Sequence, residues 1–356
     1  MRIVVDVTPL SHPRTGVGNY IRGSLAGMAD AASGTHELVA FAPASTGGRR
    51  AIEAALEGIP LERRLPVVPL AQPLRTAWSR LGHPPAERFV GRLDVLHFSD
   101  WMYPPQRGGI RSTMVHDLVP LRFPQWVHPR TRRMHCAKYR HAASTCDLLF
   151  TNSDYTAADV AETLKVPRER IRVAYPGVDE QFTPAGTRTQ LERPFVLSVA
   201  TLEPRKNLQT LVEAYRLLDD ELALAVAGGT GWGRQPELGL PGVTPLGYTR
   251  HDELPPLYRG AAVFVYPSRF EGFGMPVLEA MACGTPCVVS AHPSLDEACG
   301  GGAVRVDPES PEAIAAGIEE ALRRREELVA NGLAHAARFS WSENGRVHLD
   351  AFAEAA

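Results

Sequence analysis

Lysine is almost missing from this chain of 356 residues: three, at positions 138, 165 and 206, stand among 38 Lys and Arg residues. The skew reads as codon usage, and it makes each remaining lysine worth inspecting. Cysteine is also scarce. The five cysteines (136, 146, 283, 287 and 299) form no C-x-x-C pair and no Cys/His spacing of the kind that holds zinc. Reduced, buried cysteine in a cytoplasmic protein is the expectation, rather than a disulfide framework. Long apolar runs are absent too, so no segment is predicted to span a bilayer. The chain opens on "RIVVDV", a strand pattern too short for the apolar region of a secretory leader, and no leader is expected.

What is present is the composition of a globular protein, 44% hydrophobic and 22% charged. The length exceeds one ordinary core, so two domains are the default. Net charge is −2, but residues 1–180 carry an excess of six positive charges and residues 181–356 an excess of eight negative ones. Such a division either drifts without purpose or turns a basic half toward an acidic partner or anionic surface.

Short Val/Ile/Leu-rich runs alternate with amphipathic stretches along the whole chain, which predicts βαβ units and parallel sheets. Strands are expected at "RIVVDV", "HELVAFAP", "DVLHFS", "STMVHD", "DLLFTNS" and "IRVAYPG", then at "FVLSVA", "LALAVAGG", "VTPLG", "VFVYPS", "PCVVS" and "AVRVDP". Helices are expected between them, including "NLQTLVEAYRLL", "PEAIAAGIEEALRRREEL" and "SENGRVHLDAFAEAA". The fold class is α/β, with two Rossmann-like domains whose parallel sheets face a central cleft. The Pro/Gly/Thr-rich piece at 175–194 sets the boundary. An N-terminal domain covers 1–178 and a C-terminal domain 179–340, and a last helix over 341–356 packs back on the first.

The chemistry concentrates in "SRFEGFGMPVLEAMACGTPCVVS", residues 268–290, where Glu271 and Glu279 lie eight residues apart. Gly272, Gly274 and Pro276 rule out one continuous helix between them. Glycine frees the turn, and proline suits a first helical turn, where its missing N–H costs nothing. A helix starting near Pro276 and closing at Gly284 puts Glu271 at a strand mouth and Glu279 one turn inside the helix. The two are then separated by roughly 10 Å. Between them lie the amides of the helix start, Val277 and Leu278 among them. Carboxylates accept hydrogen bonds only, so they suit hydroxyls and repel phosphate, whereas helix-start amides suit an anion. A nucleoside-diphosphate sugar has hydroxyl-bearing rings at both ends of a doubly anionic bridge. The bland alternative is a strand-turn-helix with a dipole-favourable glutamate.

"TLEPRKNLQTL" adds Arg205 and Lys206 before a helix that Asn207 is placed to cap. Two cations there make an anion site, and a lysine in so arginine-biased a chain suggests that a compact ammonium is needed. "LAVAGGTGWG" supplies a glycine-rich turn, and "VTPLGYTRHDELPPLY" brings Tyr248 to a strand end, where its ring suits a planar base.

Together, "FEGFGMPVLEAMACGTPCVVS", "SVATLEPRKNLQTLVEAY", "YPGVDEQFTP" and "FSWSENGRVHLDAF" resemble the E-x7-E transferases: retaining glycosyltransferases of the GT-B fold, family four, with a mannosyltransferase-like look. The resemblance covers most of the chain and is strongest in its second half. It implies that Glu271 and the backbone of Gly272, Phe273 and Gly274 hold donor-sugar hydroxyls. It further implies that Arg205 and Lys206 hold the diphosphate and Glu279 the ribose. Many members carry an arginine six residues before the lysine; here that position is Ala200. In the first half, Gly16 and Gly18 in "TPLSHPRTGVGNYI" resemble the family's glycine loop near the donor phosphates. As a dinucleotide fingerprint that loop fails, because its third glycine is misplaced. His116 in "STMVHDLVP" becomes a sugar-contacting residue by the same resemblance, against a structural reading for a lone histidine. Asp100, Trp101 and Tyr103 in "DVLHFSDWMYPP" are candidates for an acceptor.

The most basic stretch, "PQWVHPRTRRMHCAKYRHAAS", holds Arg130, Arg132, Arg133, Lys138 and Arg140. It is either a solvated helix face or a surface for anionic membrane phosphates or a phosphate-bearing acceptor. Nucleic acid is not expected, since aromatic interleaving is sparse. No D-x-D motif occurs, so neither a metal nor another cofactor is expected; the nucleotide sugar is a substrate. The expectation is transfer of a hexose from a GDP-mannose-like or UDP-sugar donor to a glycan, lipid-linked or small-molecule acceptor, with retention. It would occur in the cytoplasm or on the cytoplasmic face of a membrane. The alternatives are a nucleotide-sugar epimerase of the same plan, a nicotinamide oxidoreductase, which the missing fingerprint disfavours, and a non-catalytic nucleotide-sugar sensor.

Overall fold

The computed structural model describes every residue except Ser33, Asp100 and Asp220. Contacts divide the chain into two compact units, Met1–Leu121 with Pro129–Gly177 and Ser340–Ala356, and Arg122–His128 with Val178–Phe339. Each unit is built on one parallel sheet.

The first sheet contains β1 (Arg2–Asp6), β2 (Glu37–Phe41), β3 (Glu62–Arg64), β4 (Val95–Phe98), β5 (Ile110–Val115), β6 (Leu148–Thr151) and β7 (Ile171–Val173), in the order β3-β2-β1-β4-β5-β6-β7. The second contains β8 (Phe195–Val199), β9 (Ala223–Ala227), β10 (Val243–Gly247), β11 (Val263–Tyr266), β12 (Cys287–Ser290) and β13 (Ala303–Val306), in the order β10-β9-β8-β11-β12-β13. Central strands such as β4, β6, β9, β11 and β12 are buried along their whole length, as expected of strands covered on both faces. All twelve expected strands are present. The additional one, β3, reads Glu-Arg-Arg and sits at the sheet edge, where a strand needs no apolar pattern.

One expected helix is two. "PEAIAAGIEEALRRREEL" divides into Pro311–Arg323 and Arg325–Ala336, with Arg324 between them at φ −98° and ψ 19°. Arg324 pairs with Glu320 on one side and with Glu327 on the other. Beyond the break, Arg325 Nη1 donates to Ala262 O at 2.7 Å. A tertiary bond of this kind leaves no trace in the hydrophobic period.

The last helix, Trp341–Ala355, belongs to the first unit and packs on the helix Gly16–Ala32. The two approach through glycines. A Cβ on Gly27 would lie 1.7 Å from Trp341 O, and one on Gly345 would lie 2.1 Å from Gly27 C. The buried Asn344 then donates through Nδ2 to Tyr20 Oη at 3.0 Å, Ala174 O at 3.1 Å and Tyr175 O at 2.6 Å. Tyr20 Oη also donates to Ala174 O at 2.8 Å, so replacing Asn344 with Ala removes its bonds and takes from Tyr175 O its 2.6 Å donor, at a cost of about 2 kcal/mol. A lowered urea midpoint, followed by the fluorescence of nearby Trp341, is the expected result; an unchanged midpoint contradicts the bridging role.

Candidate active site

Three loops leave the carboxyl ends of the neighbouring strands β9, β8 and β11, the edge at which parallel sheets bind ligands. They are tied together by backbone bonds. Leu202 N donates to Gly229 O at 3.0 Å, Gly231 N to Leu202 O at 3.1 Å, and Arg269 N to Arg205 O at 2.9 Å.

After β8 the chain makes one tight turn, Pro204–Lys206. Asn207 follows at the helix N-cap position, but it does not cap in the expected way. It is left-handed, at φ 56° and ψ 30°, and makes no side-chain bond to a helix amide. Its Oδ1 accepts from Thr210 Oγ1 at 2.7 Å, and its Nδ2 donates to Pro308 O at 2.6 Å.

That turn brings both cations onto Glu271. Arg205 Nη1 donates to Glu271 Oε2 at 2.7 Å and to Phe270 O at 2.9 Å, and Arg205 Nη2 reaches Glu203 Oε1 at 2.9 Å. Lys206 Nζ donates to Glu271 Oε1 at 2.7 Å and to Tyr266 Oη at 2.9 Å. The Glu271 amide donates to Ser294 Oγ at 3.0 Å. Burial alone would raise the Glu271 pKa, but Arg205 and Lys206 outweigh it and hold the carboxyl at about 2. Burial and Arg205 work against the charged form of Lys206, yet Glu271 leads a group that raises its pKa above the usual lysine value. Burial, then Glu271, pushes Tyr266 up to about 12.

The helix after Glu271 runs Met275–Ala282. Gly274, at φ 108°, forms its N-cap, and a Cβ there would lie 2.7 Å from Leu295 Cδ2. The helix closes as expected at Gly284, with Gly284 N on Met281 O and Thr285 N on Ala280 O. The expected row of free amides is short, however. Pro276 has no N–H, and the Val277 amide already donates to Gly274 O at 2.9 Å. The Val277 and Leu278 side chains are buried in the core, as is that of Phe273, which packs against Phe339.

Glu279, one turn into that helix, is 6% exposed. Tyr258 Oη donates to its Oε2 at 2.9 Å, and Oε1 accepts no hydrogen bond among the described residues. Burial raises its pKa, with nearby His251 working the other way. His251 itself holds Asp179 Oδ2 at 2.8 Å. Tyr248 is 48% exposed after β10, with its Cβ 3.7 Å from where a Cβ on Gly229 would stand. Ala200 is buried and pairs with Ala227 O, so no guanidinium stands there.

In the first unit, His116 follows β5 with its ring edge-on to Tyr20 at 5.1 Å. Its Nε2 is buried and unpartnered among the described residues, and burial, then Lys138 and His135, lowers its pKa to about 3. Gly16 and Gly18 begin the helix Gly16–Ala32, with open space around Gly16. Trp101 packs on an interior cluster, and Tyr103 stacks on His141 at 4.5 Å. Asp100 lies outside the described residues. Lys138 is a correction: it is 1% exposed and donates to Met114 O and Ser99 O, so it adds nothing to a basic surface. Arg130, Arg132, Arg133 and Arg140 are exposed on the helix Pro129–Thr145.

Several neighbours of the site carry no signal in the sequence. Glu203, Tyr266, Ser294 and Tyr258 occupy ordinary strand and loop positions. Arg122–His128, from the first half of the chain, belongs to the second unit. There Phe123 lies 5.0 Å from Phe270, the residue before Glu271, and Trp126 stacks on Phe123 at 4.4 Å. For this segment the "FPQW" cluster was the available signal.

Comparison with known proteins gives this geometry a family. The description "Glycosyl transferases group 1" matches residues 179–339, and "Glycosyltransferase Family 4" matches residues 14–182. The O-antigen chain mannosyltransferase B of Escherichia coli is 31% identical, with 96% of each chain covered. The chain belongs to the group 1 glycosyltransferases. The structure of this glycosyltransferase is similar to the sucrose-phosphate synthase of Thermosynechococcus elongatus, at a TM-score of 0.72 and 18% identity, over 99% of this chain and 98% of the other. It is also similar to Anabaena HepE, solved in complex with UDP and glucose, at a TM-score of 0.70 and 16% identity, over 99% of both chains. These likenesses show the GT-B fold, with its two parallel-sheet α/β domains. Membership favours transfer over the epimerase and oxidoreductase alternatives.

The buried ion cluster of this glycosyltransferase makes a pH prediction. A carboxyl whose folded pKa lies below its unfolded value stabilises the fold above the unfolded pKa and loses that contribution as pH falls. For Glu271 the window runs from 4.5 down to about 2, and the contribution at neutral pH is on the order of 3 kcal/mol. Glu271→Gln should be less stable than the wild type at pH 7, with the gap closing toward pH 3. Parallel stability curves across that range would contradict the ion cluster.

Proposed function

We propose that this glycosyltransferase moves a hexose from a nucleoside-diphosphate sugar to a hydroxyl of a glycan, lipid-linked or small-molecule acceptor, with retention of configuration and without a metal. The observation that carries this reading is the convergence of Arg205 and Lys206 on the buried Glu271. The two cations receive the diphosphate as it departs, and in many enzymes such electrostatic stabilisation supplies most of the rate acceleration. Glu271 remains ionised and accepts hydrogen bonds from donor-sugar hydroxyls. Glu279, with one oxygen open, takes the ribose, and Tyr248 flanks the base.

The resemblance to family four supports retention, which needs no protein nucleophile. The bond from C1 to the phosphate oxygen breaks while the bond from C1 to the acceptor oxygen forms on the same face. The acceptor proton passes to the departing phosphate oxygen. A carboxylate held by two cations at a pKa of about 2 is a weak base and a poor nucleophile, which supports a binding role for Glu271. His116, neutral at physiological pH because burial lowers its pKa to about 3, can hydrogen-bond a sugar hydroxyl without adding charge.

The mannosyltransferase relative favours a GDP-mannose-like donor and a polysaccharide acceptor, while the HepE complex keeps UDP-sugars in view. No helix among the described residues is long and apolar enough to cross a membrane. Exposed Arg130, Arg132, Arg133 and Arg140 support peripheral contact with an anionic membrane surface on the cytoplasmic face.

The test is nucleotide release from a panel of GDP- and UDP-sugars, in EDTA and in magnesium, for the wild type and for Arg205→Ala and Lys206→Ala. One donor should be turned over in EDTA, and each variant should lose about 10²-fold or more in turnover. Release from no donor would defeat the assignment. Release that needs magnesium or survives both substitutions would defeat the metal-free cation mechanism.

A further inference from the structure

The cation turn is closed by two backbone bonds of its own, Lys206 N to Glu203 O at 3.0 Å and Asn207 N to Pro204 O at 3.2 Å, and its placement relative to Glu271 needs contacts from outside. Arg205 and Lys206 are adjacent like charges, and Asn207 behind them is left-handed, a conformation that asparagine adopts more readily than other residues with a side chain. The outside contacts come from two directions. Arg269 grips both peptide carbonyls flanking Arg205: its Nη1 donates to Pro204 O at 2.8 Å and its backbone N–H to Arg205 O at 2.9 Å. The rest of the guanidinium is locked in a fork, with Nε on Glu309 Oε1 at 2.6 Å and Nη2 on Glu309 Oε2 at 2.9 Å. Beside it, Asn207 Nδ2 donates to Pro308 O at 2.6 Å. The main chain at Glu309 is tied within the same loop, its amide donating to Asp307 Oδ1 at 2.9 Å.

The topology makes this a long-range tie. Residues 307–309 follow β13, at the edge of the second sheet, while the turn follows β8, separated from β13 by β11 and β12. The loop thus reaches across two strand ends to hold the turn at adjacent residues, Pro308 and Glu309. A carbonyl oxygen bound to Arg269 is not available to face an anion, where its dipole would oppose the two cations. The pair is a poor stabiliser by itself, because the Glu309 side chain is 59% exposed and surface ion pairs contribute little. Its effect lies in the geometry it imposes.

We infer that Arg269 and Glu309 are positioning residues that set the orientation of the Arg205–Lys206 turn for diphosphate binding. The inference rests on the proposed role of that turn, so its test must separate the two. Binding of UDP and GDP is measured by calorimetry, and donor turnover kinetically, for Arg205→Ala, Arg269→Ala, Arg269→Lys, Glu309→Gln and the Arg205→Ala/Arg269→Ala double variant. Arg269→Ala should weaken the preferred nucleotide about tenfold and lower turnover, with its melting temperature within a few degrees of the wild type. Arg269→Lys should recover little, since one ammonium cannot hold Pro204 O and fork Glu309 together. Glu309→Gln, at an exposed position that folding tolerates, should weaken binding about threefold. In the Arg205→Ala background, adding Arg269→Ala should cost less than its effect of about tenfold in the wild type, because part of that effect passes through Arg205 and only the part through Lys206 remains.

If Arg205→Ala weakens binding while Arg269→Ala and Glu309→Gln leave it intact, the positioning role is wrong and the diphosphate site stands. Full additivity in the double variant likewise assigns Arg269 an independent effect and overturns the inference. Undiminished nucleotide affinity in Arg205→Ala removes the diphosphate reading, and the positioning role with it.

Discussion

One buried carboxylate, Glu271, shared between a guanidinium and an ammonium, organises the second unit's functional edge. Its two oxygens are each bound at 2.7 Å, one by Arg205 and one by Lys206. With Glu203 on the far side of Arg205, two positive and two negative charges meet in a site where the Glu271 side chain is 8% exposed. Such a cluster holds together only if every partner is placed accurately, since an unpaired buried charge is strongly destabilising. The αL residue Asn207, the Gly274 cap and the Ser294 hydroxyl are local means to that placement.

The same balance shapes how the site meets an anionic substrate. On the proposed reading, a diphosphate that takes hydrogen bonds from Arg205 and Lys206 would compete with Glu271 for them, and the carboxylate would need other hydrogen-bond donors in exchange. Donor-sugar hydroxyls would supply them. Among the helix-start amides, Pro276 has no N–H and Val277 donates to Gly274 O. On the same reading the larger share would fall to the cationic side chains, which can follow charge as it moves onto the leaving group.

The strands were legible because Val, Ile, Leu and Ala fill both faces of covered parallel strands. The charged β3 was not, since its neighbours on an edge impose no apolar pattern. Glu271, Glu279, Arg205 and Lys206 could be picked out by residue type at strand and helix ends, and the structure brings Glu271 together with both cations. Their direct pairing was not legible, because it depends on how far the turn after β8 leans toward the loop after β11. Arg269 and Glu309 were invisible for the same reason: the bond between them spans forty residues and the width of three strands. Lys138 misled in the other direction. Its place among exposed arginines suggested surface, whereas helical phase turns it inward onto strand-end carbonyls.

The central claim is that the Arg205–Lys206 turn is where the donor's diphosphate is held. A crystal structure with bound nucleoside diphosphate tests it most directly. Phosphate oxygens are expected within hydrogen-bond distance of the Arg205 guanidinium and the Lys206 ammonium, with the ribose at Glu279. Phosphates bound elsewhere, with both bonds to Glu271 undisturbed, would contradict it.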